Sequence, residues 1–385
     1  MKTRSRAALI LLALALTTGR TWAETLHGGT VSSDETWTLA GSPHRVVSYL
    51  SVQAKVMIEP GVTVTVDRDC SIWVEGAGSI WAVGTPDKPI RFISSNWFMS
   101  IRADVPSEFR YCHFSGGGDV LVDNFGVSPS HLFQHCLFQT SGGLSLVRSS
   151  ARVLNSTFIA QDRAIRVFLG NAYANEVPTI RHNAMKGGGI YLVFDSDTNC
   201  GGEPFIQDNR ITGASSGIGI YSYGGSCAGL VISDCDFNCP TGICFETGGD
   251  IDLTVQRCDL APAGSASVGG VPGSGTLDFA NNYWGVTNSV LVDARLFGGA
   301  LGESAFTPFA TNSFFRQADV DGSTSGNATG QEDATLVKEH LVGLRQLSPE
   351  QQQTADVDND GDVDVRDALM IESFVKGTLW RLPAR

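Results

Sequence analysis

The sequence predicts an all-β protein, a parallel β-helix, followed by a small α-helical calcium-binding module. Three observations support this prediction: a short motif that repeats about every 24 residues, a high glycine content, and aspartates at alternate positions near the C terminus. The chain has 44 glycines and 42% hydrophobic residues. This composition is typical of turn-rich β proteins, because glycine marks bends and close backbone approach.

The repeat lies between residues 109 and 284 and occurs eight times. Each copy has an apolar residue, two variable residues, a Cys, Ser or Asn, one variable residue and a large apolar residue. The Cys, Ser and Asn positions are Cys112, Cys136, Ser156, Asn183, Asn209, Cys235, Cys258 and Asn282. Coils of a β-helix stack at about 4.8 Å, so equivalent positions form ladders along the axis. We therefore expect Phe114, Phe138, Phe158 and Met185 to stack in the core, and the polar ladder to satisfy buried turn backbone.

Further segments add a family resemblance. They are Gly28-Gly29-Thr30, Ile58-Glu59-Pro60-Gly61, Gly84-Thr85-Pro86-Asp87 and Asn281-Asn282-Tyr283-Trp284-Gly285. Together with the repeat, they make residues 25–315 resemble the right-handed β-helix proteins of the pectin-lyase-like group. The resemblance implies a right-handed, single-stranded solenoid over residues 24–315 and a role toward polysaccharide. It specifies the fold better than the activity.

The N terminus has the features of an export signal. Lys2, Arg4 and Arg6 precede an apolar stretch, and the segment ends at a small residue, Ala23, just before Glu24. We expect residues 1–23 to be a cleaved signal peptide and the protein to be secreted or held at the cell surface. The alternative is a membrane anchor, but an apolar run of about ten residues is too short to cross a bilayer. No later segment is apolar enough to span one.

Charge and cysteine content limit the partners and the compartment. The formal net charge of −13 argues against nucleic acid as a partner and favours calcium. Nine cysteines in an exported chain are expected to pair in part. Cys200 and Cys227 are expected to lie in loops at nearly the same corner of adjacent coils, where a disulfide is plausible, and Cys239 with Cys244 could close a short loop.

After residue 315 the chemistry changes, and the clearest motif of the chain follows. Calcium takes six to eight oxygen ligands on a loop that curls around it. Asp356, Asp358 and Asp360 supply side-chain oxygens at loop positions 1, 3 and 5, and Gly361 permits the sharp turn. In the same loop Asp362 offers its carbonyl, Asp364 acts through water, and Asp367 closes the site from the first turn of a helix.

A related but weaker loop precedes it. Counted from Asp319, this first loop is two or three residues too long and ends at Asp333. Counted from Asp321, it reaches Glu332 in twelve residues and has Ser323 at its third position. Both registers offer fewer carboxylates than the second loop, so we expect weaker calcium binding there.

The paired halves, residues 319–377 within a module spanning 316–380, resemble a type I dockerin. The resemblance implies a cohesin-like protein partner, chosen in part by loop positions 10 and 11. These are Val365 and Arg366 in the second half and, by sequence match, Gly330 and Gln331 in the first. A calcium-stabilised folding module that binds no cohesin remains the alternative.

The sequence gives no clear catalytic centre. The acidic and basic segments of polygalacturonases and pectate lyases are absent from it, and the weak candidates are Asp195, Asp197, Asp234 and Asp236. Alternate acids beside an inward residue are normally a solvated face.

The favoured hypothesis is a secreted β-helix with a binding or scaffold role toward polysaccharide, attached through its C-terminal module. The second hypothesis is a polysaccharide lyase or glycoside hydrolase.

Overall fold

The protein folds as a parallel β-solenoid of about nine turns followed by a small helical module, as predicted. The computed structural model describes residues 24–96, 99–123, 130–160, 163–169, 177–195, 198–200, 204–246, 250–260, 267–270, 275–286, 288–296, 305–310, 318, 320–321, 329–358 and 360–376. The predicted signal peptide, residues 1–23, lies outside the described residues. Among the described residues, no helix combines the length and the apolar character needed to cross a bilayer.

The coils build three walls of parallel strands, because each strand pairs with its counterparts one coil before and one coil after. The first wall holds β2 Glu35–Trp37, β4 Lys55–Ile58, β7 Ser79–Val83, β10 Glu108–Arg110, β13 Leu132–Gln134, β16 Arg152–Leu154, β19 Thr179–Arg181, β22 Thr198–Asn199, β23 Pro204–Gln207, β26 Cys227–Ser233, β29 Ile251–Gln256 and β31 Leu277–Asp278.

The second wall continues each coil after a tight corner. It holds β1 Thr25–Val31, β3 His44–Val52, β5 Thr63–Val66, β8 Ile90–Ser94, β11 Cys112–Gly116, β14 Leu137–Thr140, β17 Thr157–Ile159, β20 Ala184–Lys186, β24 Arg210–Thr212 and β27 Asp236–Asn238. The third wall holds β6 Ile72–Gly76, β9 Met99–Ala103, β12 Asp119–Asp123, β15 Gly143–Val147, β18 Arg163–Leu169, β21 Gly189–Phe194, β25 Ser216–Ser222, β28 Thr241–Phe245 and β30 Val268–Gly270.

The inward residues form the predicted stacks. Phe114 and Phe138 lie ring on ring at 4.8 Å, Phe138 and Phe158 at 4.5 Å, and Met185 follows Phe158 in register. All four side chains are buried. Such stacking removes apolar surface from water along the whole axis, so each coil is stabilised by its neighbours.

The polar ladder sits at the corner between the first and second walls. The residue before each ladder position has a positive φ of 49° to 60°. These corner residues are Tyr111, His135, Asn155, His182, Asp208, Asp234, Arg257 and Asn281. Buried Asn183 accepts the Ser156 N–H at 2.9 Å and donates to the Val153 carbonyl at 2.9 Å. The ladder therefore satisfies turn backbone in the neighbouring coil, which is the role that the sequence predicts.

In the described part of the chain, four α-helices follow the solenoid strands: α1 Ser289–Arg295, α2 Gln331–Leu341, α3 Pro349–Ala355 and α4 Val365–Val375. A 3₁₀ turn, Leu39–Gly41, lies in an early coil. Helices α2 and α4 pack on each other, and their buried residues form a core separate from that of the solenoid. The C-terminal module thus has its own apolar centre, although a small one.

Candidate calcium site and partner-binding module

Three carboxylates converge in the second loop. Ligand oxygens of Asp356, Asp358 and Asp367 lie within 4.8 Å of one another. Calcium binds oxygens at about 2.3–2.6 Å, so two ligands on opposite sides of one ion lie about 5 Å apart. The spacing and the all-oxygen donor set therefore fit a single calcium ion.

The loop curls because its own backbone N–H groups point at these carboxylates. The Gly361 N–H donates to Asp356 at 3.1 Å, and the Asp362 N–H donates to the Asp360 carboxylate at 3.1 Å. Gly361 has a φ of 98°, a conformation that an L side chain would strain. The turn predicted at Gly361 is therefore present.

Asp367 joins the loop to α4. Its side chain is buried and accepts the Val357 N–H at 2.7 Å and the Asp364 N–H at 2.8 Å. Burial raises the pKa of Asp367 and outweighs the backbone N–H bonds, which lower it. A divalent ion at this carboxylate would compensate for the lost hydration of its charged form.

Asp333 occupies the same place in the first half. Its side chain accepts the Val320 N–H at 2.7 Å and the Gly330 N–H at 2.6 Å, and burial likewise raises its pKa. The two halves therefore match through their closing aspartates, which supports the register counted from Asp319. From Asp319 to Asp333 is 14 positions, against 11 from Asp356 to Asp367, so the first loop is three residues longer.

Other residues of the first loop are less well placed as ligands. Asp319 and Ser323 lie outside the described residues, and Asp321 is exposed. Glu332 is exposed in the first turn of α2, at the position equivalent to Arg366. Ligand roles for these residues, for Asp333 and for Asp356, Asp358, Asp360, Asp362, Asp364 and Asp367 of the second loop stay predictions.

The helix starts also fix which residues of the two halves correspond. Gly330 is the N-cap of α2, as Asp364 is of α4. Gln331 and Glu332 therefore correspond to Val365 and Arg366, one position later than the sequence match that paired Gly330 and Gln331 with them. Counting back from the matched aspartates Asp333 and Asp367 gives the same result, so the sequence assignment to Gly330 and Gln331 was one position out.

The comparison with known families is decisive for this module. Residues 317–376 match the family model described as the dockerin type I domain. The module is a type I dockerin domain. Type I dockerins in general bind calcium, and dockerin domains bind cohesins and occur in extracellular proteins. Comparison of the chain with curated proteins and with solved structures gave no match.

The weak catalytic candidates that the structure describes, Asp195, Asp234 and Asp236, do not converge on one site. Asp195 is exposed just after β21, and Asp197 lies outside the described residues. Asp234 stands at the corner and is paired with Arg257 at 2.6 Å, whereas Asp236 contacts Arg210 at 3.4 Å. Burial raises the pKa of Asp234, but hydrogen bonds from Arg257 and Gln207 outweigh it, so the pKa is lowered. Asp234 is therefore an ionised structural partner and a poor proton donor.

A surface that the sequence did not reveal lies outside the third wall. Tyr191 and Tyr221 approach to 5.0 Å between ring centroids, and both hydroxyls hydrogen-bond to the Glu246 carboxylate. The guanidinium of Arg163 lies 4.1 Å from the centre of the Tyr191 ring. Gly219 makes room for this ring, since a Cβ there would approach it to 2.8 Å.

Further aromatic side chains extend this surface along the axis. Tyr223 is 69% exposed and stacks on Tyr221, and Phe168 lies under Arg166 on β18. On the early coils, Tyr49 and Trp73 lie 6.1 Å apart. We name this set the aromatic strip: Tyr49, Trp73, Phe168, Tyr191, Tyr221 and Tyr223. From Trp73 on β6 to Tyr221 on β25 it spans about 29 Å at the usual strand spacing, with none of its members on the three intervening strands β9, β12 and β15.

Proposed function

We propose that the protein is exported and that its calcium-loaded dockerin attaches the β-solenoid to a cohesin-bearing partner. The solenoid then binds a linear polysaccharide along the aromatic strip. The convergence of Asp356, Asp358 and Asp367 in a domain of the dockerin family carries the attachment part of this proposal.

The acidic loop supports calcium as the ion. Its donors are all oxygens, and hard cations such as calcium prefer oxygen. Without an ion, the carboxylates of Asp356 and Asp358 would repel each other and Asp367 across less than 5 Å. Because the dockerin core is small, the binding free energy of calcium contributes a large share of its folding free energy.

An exposed apolar pair supports a protein partner. Val365 and Leu369, one turn apart on α4, are 62% and 54% exposed. Side chains at i and i+4 share one helix face, so they form a continuous apolar contact beside Arg366. Apolar side chains with a nearby arginine are typical of the centre of a protein interface.

The aromatic strip supports a polysaccharide ligand. Tyrosine and tryptophan offer apolar ring faces and a polar edge, which suit the C–H faces and hydroxyls of a sugar. Glu246 and the two tyrosine hydroxyls add hydrogen-bonding groups, and Arg102, Arg163 and Arg166 add donors along the same wall. A strip of this length matches an extended polymer better than a small molecule.

Affinity electrophoresis through gels that contain pectin, alginate, xylan or cellulose derivatives tests the strip. We expect one polymer to retard the wild-type protein, and Tyr223→Ala and Trp73→Ala to restore its mobility. Trp81→Ala is the matched control, because Trp81 is 38% exposed on the first wall. If all three variants were retarded as strongly as the wild-type protein, the strip would not be the binding surface.

The Glu246 cluster also favours a second function, that of a polysaccharide lyase or glycoside hydrolase. A carboxylate between two phenol groups, beside a guanidinium, has the groups that proton transfer at a sugar ring requires. Ultraviolet absorbance of unsaturated products and a reducing-end assay on the same polymers decide between the two. Turnover that is lost in Glu246→Gln and Tyr221→Phe, but kept in Asp195→Ala, would establish the enzyme.

A further inference from the structure

The dockerin lies against the outside of the second wall, and Arg210 of β24 makes the central contact. Its Nη1 donates to the Phe374 carbonyl at 2.6 Å, and its guanidinium carbon lies 3.8 Å from the centre of the Phe374 ring. Asp236 holds the same guanidinium from the solenoid side at 3.4 Å. Phe374 is in the last turn of α4, where helix carbonyls carry partial negative charge, so a cation is favourable there.

A cleft of about 880 Å³ lies beside this contact. Outward residues of β17, β20, β24 and β27 line one side, including Lys186. The start of α2 and the end of α4 line the other, including Gln331, Glu332 and Lys376. A folded protein partner covers about 800 Å² on each side of an interface, so a partner that approached Gln331 and Glu332 would also meet the second wall across this cleft.

The start of α4 lies away from this cleft. Val365, Arg366 and Leu369 are exposed and are not among the residues that line the cleft. Their counterparts Gln331 and Thr335 in α2 are polar. Gln331, Glu332 and Thr335 are exposed as well, so the two halves of the dockerin differ in chemistry and in whether their first helical residues line the cleft, as Gln331 and Glu332 do.

We propose that the second wall of the solenoid is a docking surface for the chain's own dockerin. This contact turns the α2 half toward the solenoid and leaves the α4 half as the face that binds a folded protein partner. The dockerin then presents the solenoid to its partner in one orientation. The identity of that partner as a cohesin rests on the proposed function, whereas the docking of the two domains does not.

Small-angle X-ray scattering of the full chain with calcium tests the docking. We expect Arg210→Ala to increase the radius of gyration and the maximum dimension, because the dockerin swings away from the solenoid. Arg257→Ala is the matched control, since Arg257 pairs with Asp234 on the solenoid corner. Lys186→Trp, which fills the cleft and keeps Arg210, should act like Arg210→Ala. Dimensions that are unchanged in both Arg210→Ala and Lys186→Trp, with wild-type circular dichroism, would overturn the proposal.

Titration of the full chain with a type I cohesin domain tests the presented face. We expect Leu369→Asp to weaken binding at least about tenfold and Thr335→Asp to change it less than about twofold. The reverse order would contradict the assignment of the α4 half. Absence of binding to any type I cohesin would count against the proposed function, while the scattering experiment would still decide the docking.

Discussion

His131 shows how a single buried side chain makes the solenoid sensitive to acid. Its ring is fully buried and its Nδ1 accepts the Ser107 N–H at 3.0 Å, so the fold holds it neutral. Burial lowers the pKa of His131 from 6.5 to about 4. Between these values the unfolded chain binds the extra proton, so stability falls as the pH falls, by up to about 3 kcal/mol.

This residue gives the first prediction. Asn at position 131 offers a carbonyl oxygen to the Ser107 N–H but carries no titratable group. We expect the unfolding free energy of wild type to drop between pH 7 and pH 4.5 by about 2–3 kcal/mol more than that of His131→Asn. Urea unfolding at the two pH values measures this difference, and equal drops would show that His131 is not the sensor.

The calcium loop gives the second prediction at this scale. Asp356→Ala combined with Asp367→Ala removes two of the three converging carboxylates, and we expect the dockerin to unfold while the solenoid stays folded. Amide hydrogen exchange measures both outcomes: α2 and α4 should lose protection, and the solenoid strands should keep theirs. Asp362→Ala is the control, since Asp362 is expected to bind calcium through its carbonyl. Loss of α4 protection in the control as well would contradict the ligand assignment.

At the scale of elements, the corner ladder controls how coils join. Asn183 bonds to backbone groups of the preceding coil and also donates to Asn209 Oδ1 at 3.0 Å. Asn183→Ala leaves buried groups unpaired, and we expect a loss of about 2–4 kcal/mol in chemical unfolding. Asn183→Ser should lose less, because Ser156 fills an equivalent slot and accepts the Cys136 N–H. Equal losses would show that volume matters more than hydrogen bonding.

Two adjacent elements also place a pair of thiols together. The Sγ atoms of Cys200 and Cys227 lie 2.9 Å apart, next to the pairing of β22 with β26. Cys239 is buried with its thiol donating to the Thr241 carbonyl, and Cys244 points outward on β28. We expect protein exported into an oxidising compartment to contain a disulfide between Cys200 and Cys227. Of the nine cysteines, seven should then react with an alkylating reagent when the protein is denatured without a reductant. Nine reactive thiols in mass spectrometry would refute this bond.

The ladders were predictable from the sequence because an inward residue recurs at one place in every coil. The positive φ of the residue before each ladder position was not predictable, because the Tyr, His, Asn, Asp and Arg residues found there share no side-chain chemistry. Each of them is defined only by its place before a ladder residue. The aromatic strip was hidden for a similar reason: its members sit at different offsets from the ladder and meet only when coils stack. The second calcium loop was readable since all its ligands lie within twelve residues.

At the scale of the whole molecule, two domains with different sources of stability share one chain. The solenoid is stabilised by continuous stacking of buried apolar residues, whereas the dockerin has a small core and a charged loop. The contact between the two domains includes the hydrogen bond from Arg210 to Phe374, two residues that lie 164 positions apart in the sequence. No local pattern could have predicted that contact. Because the predicted calcium ligands all lie in the dockerin, calcium should change the stability of the dockerin and leave that of the solenoid unchanged.

Differential scanning calorimetry of the full chain, in calcium and in EDTA, tests this central claim most directly. We expect two transitions in calcium, and in EDTA the dockerin transition should move to lower temperature or vanish while the solenoid transition stays in place. A scan in which EDTA leaves both transitions unchanged, or shifts the solenoid alone, would contradict the account.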